Sequence, residues 1–193
     1  MLENLKKYKI ILASQSERRQ NLLKGLDIDF EVKTIDSVKE TYPADLQIDK
    51  VPEYLARQKA EYYLQFLEKN TLLITADTIV VADNQLLGKP KNEQEAKNML
   101  QTLSGATHEV ITGVCLTTQE QQKIFSTVTK VTFSVLNDSE INYYVKKYQP
   151  YDKAGGYGIQ EWIGFVGVKK IEGSYYNVMG LPVQRIYQVL KKF

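Results

Sequence analysis

The chain has 193 residues, 43% of them apolar and 25% charged, which suits a soluble globular protein with one substantial core. Its 25 basic and 23 acidic side chains leave a formal charge of +2 and are interleaved along the sequence, which argues against a dedicated nucleic-acid or membrane-surface binder. A single cysteine excludes a disulfide framework or a cysteine-rich metal site, and neither a signal-type apolar core nor a bilayer-length apolar run is present, so a cytoplasmic protein is expected.

The first predicted elements are a strand over Ile10 to Ala13, the loop Ser14-Gln15-Ser16, and a helix opened by Glu17-Arg18-Arg19. Ser16 is placed to cap that helix, Leu22, Leu23 and Leu26 form its apolar stripe, and Gly25 stops it. A helix N-terminus offers unpaired N–H groups, and two hydroxyls and two guanidinium groups converge on this one, so it suits an anion. A capped surface helix with solvated arginines is the local alternative.

Phe30 to Ile35 alternates as a strand does, and the polar loop Asp36 to Pro43 after it carries Glu40. Pro52 to Leu67 is predicted as a helix with Pro52 in its first turn, and Leu55, Lys59, Tyr62, Tyr63 and Phe66 recur at helical spacing. Lys59 lies beside that stripe, where an ammonium is either partly shielded or extended to water.

Leu72 to Ala76 reads as a buried strand, followed by Asp77-Thr78 and a second apolar run, Ile79 to Ala82. A carboxylate between two buried runs is costly unless a cation or metal pairs with it, which makes Asp77 the leading candidate for chemistry. A structural aspartate bonded to a nearby turn is the alternative. After a turn at Asp83 to Gln85, Leu86 to Pro90 brings Lys89 back along a hairpin.

Asn92 to Leu103 carries a capping-box signature through Asn92 and Glu95, with Ala96, Met99, Leu100 and Leu103 on its apolar face. His108, the only histidine, forms no triad or multi-histidine pattern and is expected to be structural. Val110 to Thr117 and Ile124 to Val135 are expected to pair as a hairpin, with Cys115 buried. A helix capped by Asp138 ends near Tyr148, and its tyrosines Tyr143, Tyr144 and Tyr148 are expected to pack rather than to stack on bases. The segment Asp152 to Gln160 holds three glycines that let backbone approach a ligand, and the Gln160 amide offers one donor and one acceptor end. Trp162 to Val168 is expected as a further strand, and Pro182 opens a last helix with Val183, Ile186, Tyr187 and Leu190 inward.

The segments Ser14-Gln-Ser-Glu-Arg-Arg19, Thr75-Ala-Asp-Thr78, Gly88-Lys-Pro90, Leu103-Ser-Gly-Ala-Thr-His108, Asp152 to Gln160 and Gly173 to Pro182 occur in the order found in the Maf family of nucleoside triphosphate pyrophosphatases. The resemblance spans Ile10 to Leu190. It implies a single α/β domain over residues 1–193, with a mixed, twisted, elongated sheet flanked by helices and two lobes around a central cleft, as in inosine triphosphatases. It also implies cleavage of a nucleoside triphosphate between its α and β phosphates in house-cleaning of the nucleotide pool, with a divalent metal such as Mg or Mn as cofactor. By the same resemblance Asp77 is the general base, Asp77 and Glu40 hold the metal, and Ser14, Ser16, Arg18, Arg19, Lys59 and Lys89 contact phosphates or substrate. Thr78 with Gln160 resembles the dTTP/UTP branch, and a homodimer is compatible with it. Glu17 stands where many relatives have Pro, and Gly156 where many have Ala.

The residue chemistry fits this reading. A triphosphate carries about four negative charges, which four fixed cations and a metal can spread, and no protein nucleophile is required. Rival readings are a nucleotide-sensing regulatory module without turnover, a pyrophosphatase for a non-standard nucleotide, and a single-strand nucleic-acid binder, the last disfavoured by net charge.

Overall fold

The computed structural model describes residues 2–34 and 40–193. Asp36 to Lys39 of the expected polar loop, and Ile35 at the end of the expected second strand, lie outside the described residues. The elements are β1 (Lys9–Leu12), α1 (Glu17–Lys24), β2 (Glu31–Val32), α2 (Val51–Leu64), β3 (Thr71–Ala82), β4 (Gln85–Leu87), α3 (Glu93–Leu103), β5 (Thr107–Thr117), β6 (Gln122–Phe133), α4 (Asp138–Tyr148), α5 (Trp162–Gly167), β7 (Val168–Glu172), α6 (Tyr175–Val178) and α7 (Val183–Leu190). Among the described residues the strands form one seven-stranded sheet in the order β2-β1-β3-β5-β6-β7, with β4 paired to β3. The sheet is mixed: β1 runs parallel to β2 and β3, while β3 with β4 and β6 with β7 are antiparallel. The mixed α/β class expected from the sequence is therefore present.

The chain forms two compact units, the first made of Met1–Asp77, Thr112–Thr127 and Gly180–Phe193, the second of Thr78–Ile111 and Val128–Met179. In the first unit β1 and β3 lie in register, with Ile10 beside Leu72 and Leu12 beside Ile74. Residues 71–77 are all buried, as expected of a strand covered on both faces. One face, carrying Leu73, packs on α2 through Ala56, Ala60 and Tyr63, with Cys115 in the same cluster. The α2 stripe is therefore rotated from its expected position: Tyr62 is 40% and Phe66 62% exposed, because the two alanines, having small side chains, are what approach the sheet.

In the second unit Val80, Ala82, Leu100, Leu103, Val131, Phe133, Tyr144 and Ile163 belong to one apolar cluster. Asp83 and Asn84 both take positive φ, 48° and 59°, which gives the two-residue hairpin joining β3 to β4.

Several element boundaries differ from expectation. The runs on either side of Asp77 are one continuous twelve-residue strand, because a single paired carboxylate does not interrupt backbone pairing. The second strand is only Glu31–Val32. The α4 cap is Asn137 rather than Asp138, in a reciprocal capping box with Glu140. Asn92 caps α3, but Glu95 accepts from the Lys91 N–H at 2.8 Å, one residue earlier than a capping box requires. Trp162 to Val168 is not a strand: Trp162–Gly167 is a short helix and the strand begins at Val168. Short apolar runs do not distinguish the two periods, and here Ile163 and Gly167, four apart, are buried while Phe165 is 83% exposed. A Cβ at Gly164 would lie 1.7 Å from the Ile159 carbonyl oxygen, so only glycine lets this helix start so close to the preceding turn.

Candidate active site

The parallel pairing of β1 and β3 explains how Asp77 meets its neighbours. Ala13 N–H donates to the Ile74 carbonyl at 2.9 Å, β1 ends, and β3 continues three residues to Asp77. Side chains of a strand alternate, so Leu73, Thr75 and Asp77 share the face covered by α2. Thr75 donates to the Ala56 carbonyl at 2.6 Å, and one helical turn further Lys59 reaches Asp77, its Nζ 2.5 Å from Oδ1. The same ammonium lies 3.0 Å from Glu40 Oε1. The Lys59 and Asp77 side chains are only 15% and 13% exposed, so this pair is shielded from water, whereas Glu40 is half exposed.

The helix N-terminus adds a second cationic group. Ser16 accepts from the Arg19 N–H at 3.4 Å as the expected cap, and the Ser14 hydroxyl, buried at the end of β1, accepts from the Ser16 N–H at 3.2 Å. Arg19 is held by its backbone neighbours: Nε donates to the Gly180 carbonyl and a terminal nitrogen to the Ala76 carbonyl, both at 2.8 Å. Burial weakens its hold on its proton, Asp77 and Glu40 strengthen it, and the Arg18 charge opposes it. Arg18, Arg19, Lys59, Glu40 and Asp77 are thus one electrostatic group within the first unit.

Thr78, Lys89 and Gln160 belong to the second unit. Thr78 directly follows Asp77 on β3. Lys89 is exposed beyond β4, and the Gly155 N–H donates to the Gly88 carbonyl at 3.0 Å, joining the Lys89 segment to the glycine segment. Gln160 is partly buried, and its Oε1 is enclosed without a hydrogen-bond partner. An enclosed, unsatisfied amide oxygen is costly. His108 is 1% exposed on β5, its Nε2 2.7 Å from the Tyr157 hydroxyl, and burial pushes it down to about 4. It packs edge-on to Phe133 and Tyr157, within the second unit.

A family model described as Maf-like protein matches residues 9–193. The chain belongs to the Maf family. This Maf protein is 60% identical over 192 residues, the full length of both chains, to a Phocaeicola vulgatus protein named dTTP/UTP pyrophosphatase. Proteins of the same name from Parabacteroides distasonis and Porphyromonas gingivalis are 58% identical over 193 residues and 56% identical over 195. Those alignments cover all of this chain and 100% and 98% of the respective relatives.

Beside Gln160 the structure also joins Tyr144, Lys153 and Glu161, which the sequence does not single out. Tyr144 packs in the core as expected. Its hydroxyl donates to Glu161, and Glu161 lies 3.2 Å from Lys153. The available signal was Glu161 standing directly after Gln160, and Asp152-Lys153 opening the glycine segment.

Proposed function

We propose that this Maf protein hydrolyses dTTP and UTP to the monophosphate and pyrophosphate. The observation that carries the chemistry is the shielded Asp77 on a rigid strand, held at 2.5 Å by Lys59 with the Arg19 guanidinium anchored alongside. Such a cluster can bind a polyphosphate and orient an acid toward water at the innermost phosphorus. In the step, the water oxygen bonds to the α phosphorus, its proton passes to the Asp77 carboxylate, and the bond from that phosphorus to the α–β bridging oxygen breaks. The bridging oxygen leaves with pyrophosphate. Lys59, Arg18 and Arg19 then share the charge that builds on the departing group.

The donor set fits a divalent cation. Asp77 and Glu40 direct oxygens at one cationic point, now the Lys59 ammonium, while no group of three or more metal-type ligands gathers among the described residues. Magnesium suits such a place, because it takes one or two carboxylates and completes its shell with phosphates and water. When bound with nucleotide it would neutralise phosphate charge.

Base choice is assigned to Gln160. Its unpartnered Oε1 can accept the N3–H of thymine or uracil, and its NH2 can donate to O4. Cytosine presents the opposite pattern and would pair only with the amide turned over. The deciding experiment measures pyrophosphate released from dTTP, UTP, CTP, GTP and modified triphosphates, with and without magnesium. Magnesium-dependent release, highest for UTP and dTTP, supports the reading; release of inorganic phosphate alone, or no turnover, removes it.

A further inference from the structure

Gly158-Ile159-Gln160-Glu161 is a turn closed by the Glu161 N–H donating to the Gly158 carbonyl at 3.0 Å. One phenol holds both of its ends: the Tyr144 hydroxyl accepts from the Gly158 N–H at 2.9 Å and donates to Glu161 Oε2. The other carboxylate oxygen of Glu161 lies 3.2 Å from Lys153 Nζ, which also reaches Asp152 Oδ1 at 2.7 Å. Tyr144 is fully buried and Lys153 only 8% exposed. Burial and the Glu161 carboxylate hold the phenol proton in place, so its direction of donation is fixed. The turn itself is close-packed, since a Cβ on Gly158 would lie 2.8 Å from Glu161 Cδ and 3.0 Å from Gln160 Nε2.

A loop needs no enclosed ion pair merely to stay folded, because apolar packing of similar volume stabilises as well or better. What this network adds is direction: two hydrogen bonds to one oxygen set both ends of a four-residue turn, and Gln160 is its third residue. We propose that Tyr144 and Glu161, braced by Lys153, are positioning residues that set base selectivity by fixing the turn that presents Gln160. This rests on the reading of Gln160 as the group that meets the base edge.

The test compares kcat and KM for UTP and CTP in the full chain with magnesium, for Tyr144→Phe, Glu161→Gln, Gln160→Ala and the Tyr144→Phe, Gln160→Ala double variant. Loss of one aligned hydrogen bond should lower the UTP-to-CTP ratio of kcat/KM by about tenfold in Tyr144→Phe and Glu161→Gln, carried by KM for UTP. In the Gln160→Ala background Tyr144→Phe should add no further loss of selectivity, because the group it positions is gone. An unchanged ratio in both single variants, with Gln160→Ala altering it, overturns the positioning role and leaves the base reading intact. So does a uniform fall in kcat for both nucleotides that persists in the double variant. An unchanged ratio in Gln160→Ala overturns the base reading, and the positioning role with it. Should Tyr144→Phe fail to fold, Glu161→Gln, which keeps an acceptor for the phenol while losing the Lys153 ion pair, decides by the same ratio and KM split.

Discussion

Replacing Asp77 by Asn separates chemistry from stability. Asn keeps the shape and one oxygen to accept from Lys59, so a charge-assisted hydrogen bond at 2.5 Å becomes an ion-to-neutral one, and Glu40 at 3.0 Å still neutralises the ammonium. The difference between those bond types is about 1 kcal/mol, which lowers the melting temperature of a domain of this size by roughly 2–4 °C. Turnover depends on the lost proton acceptor, and removing a positioned base typically costs 10²–10⁴-fold, or about 3–5 kcal/mol of barrier. Asp77→Leu should be equally inactive but less stable, by roughly 3 kcal/mol, because it leaves a shielded ammonium facing hydrocarbon. The assay is pyrophosphate release from UTP beside a thermal melt of each variant. Asp77→Asn retaining more than about a tenth of wild-type activity would exclude Asp77 as the base, and a melting temperature as low as that of Asp77→Leu would show its main role to be structural.

Other outcomes follow from the same geometry. Gly113→Ala places a Cβ 2.3 Å from the Pro52 carbonyl carbon and 2.4 Å from the Glu53 nitrogen, both backbone, so it should destabilise by about 3 kcal/mol or more in urea titration. His108 stays neutral when folded down to about 4, whereas the unfolded chain takes up a proton near the ordinary 6.5. Stability is therefore full above pH 6.5 and falls as pH drops toward 4, by roughly 2–3 kcal/mol from this residue, and His108→Gln should flatten that part of the curve. A chelator should abolish pyrophosphate release, while magnesium without nucleotide should move the melting temperature by less than about 1 °C, because no ligand set of three or more gathers among the described residues.

The sequence was most informative where a local rule sufficed. Ser16, Gly25 and the leucines defined α1, and the ordered motifs led to the family to which the chain belongs. It misled where tertiary packing chose among equal local options, as with Trp162–Gly167, a helix only because Gly164 can approach the Ile159 carbonyl. Asp77 was recognised as an anomaly in an apolar run, yet its pairing with Lys59, eighteen residues away, depends on which face of β3 meets α2. Tyr144 packs as its pattern predicts, and an aromatic on the inner face of a helix satisfies that pattern whether or not its hydroxyl is in use. Its partners are fourteen and seventeen residues on, beyond any periodicity.

Mounting Asp77 in the middle of a twelve-residue, largely buried strand has a consequence for how such a protein can diversify. A residue set among buried neighbours in a long strand has almost no freedom to drift, and substitutions around it are filtered first by whether the strand survives. The four-residue turn bearing Gln160 is fixed at its ends by a side chain, the Tyr144 hydroxyl, rather than by strand pairing. Directed evolution toward a new nucleobase should thus gather its changes in the turn and its tyrosine brace, leaving the strand untouched.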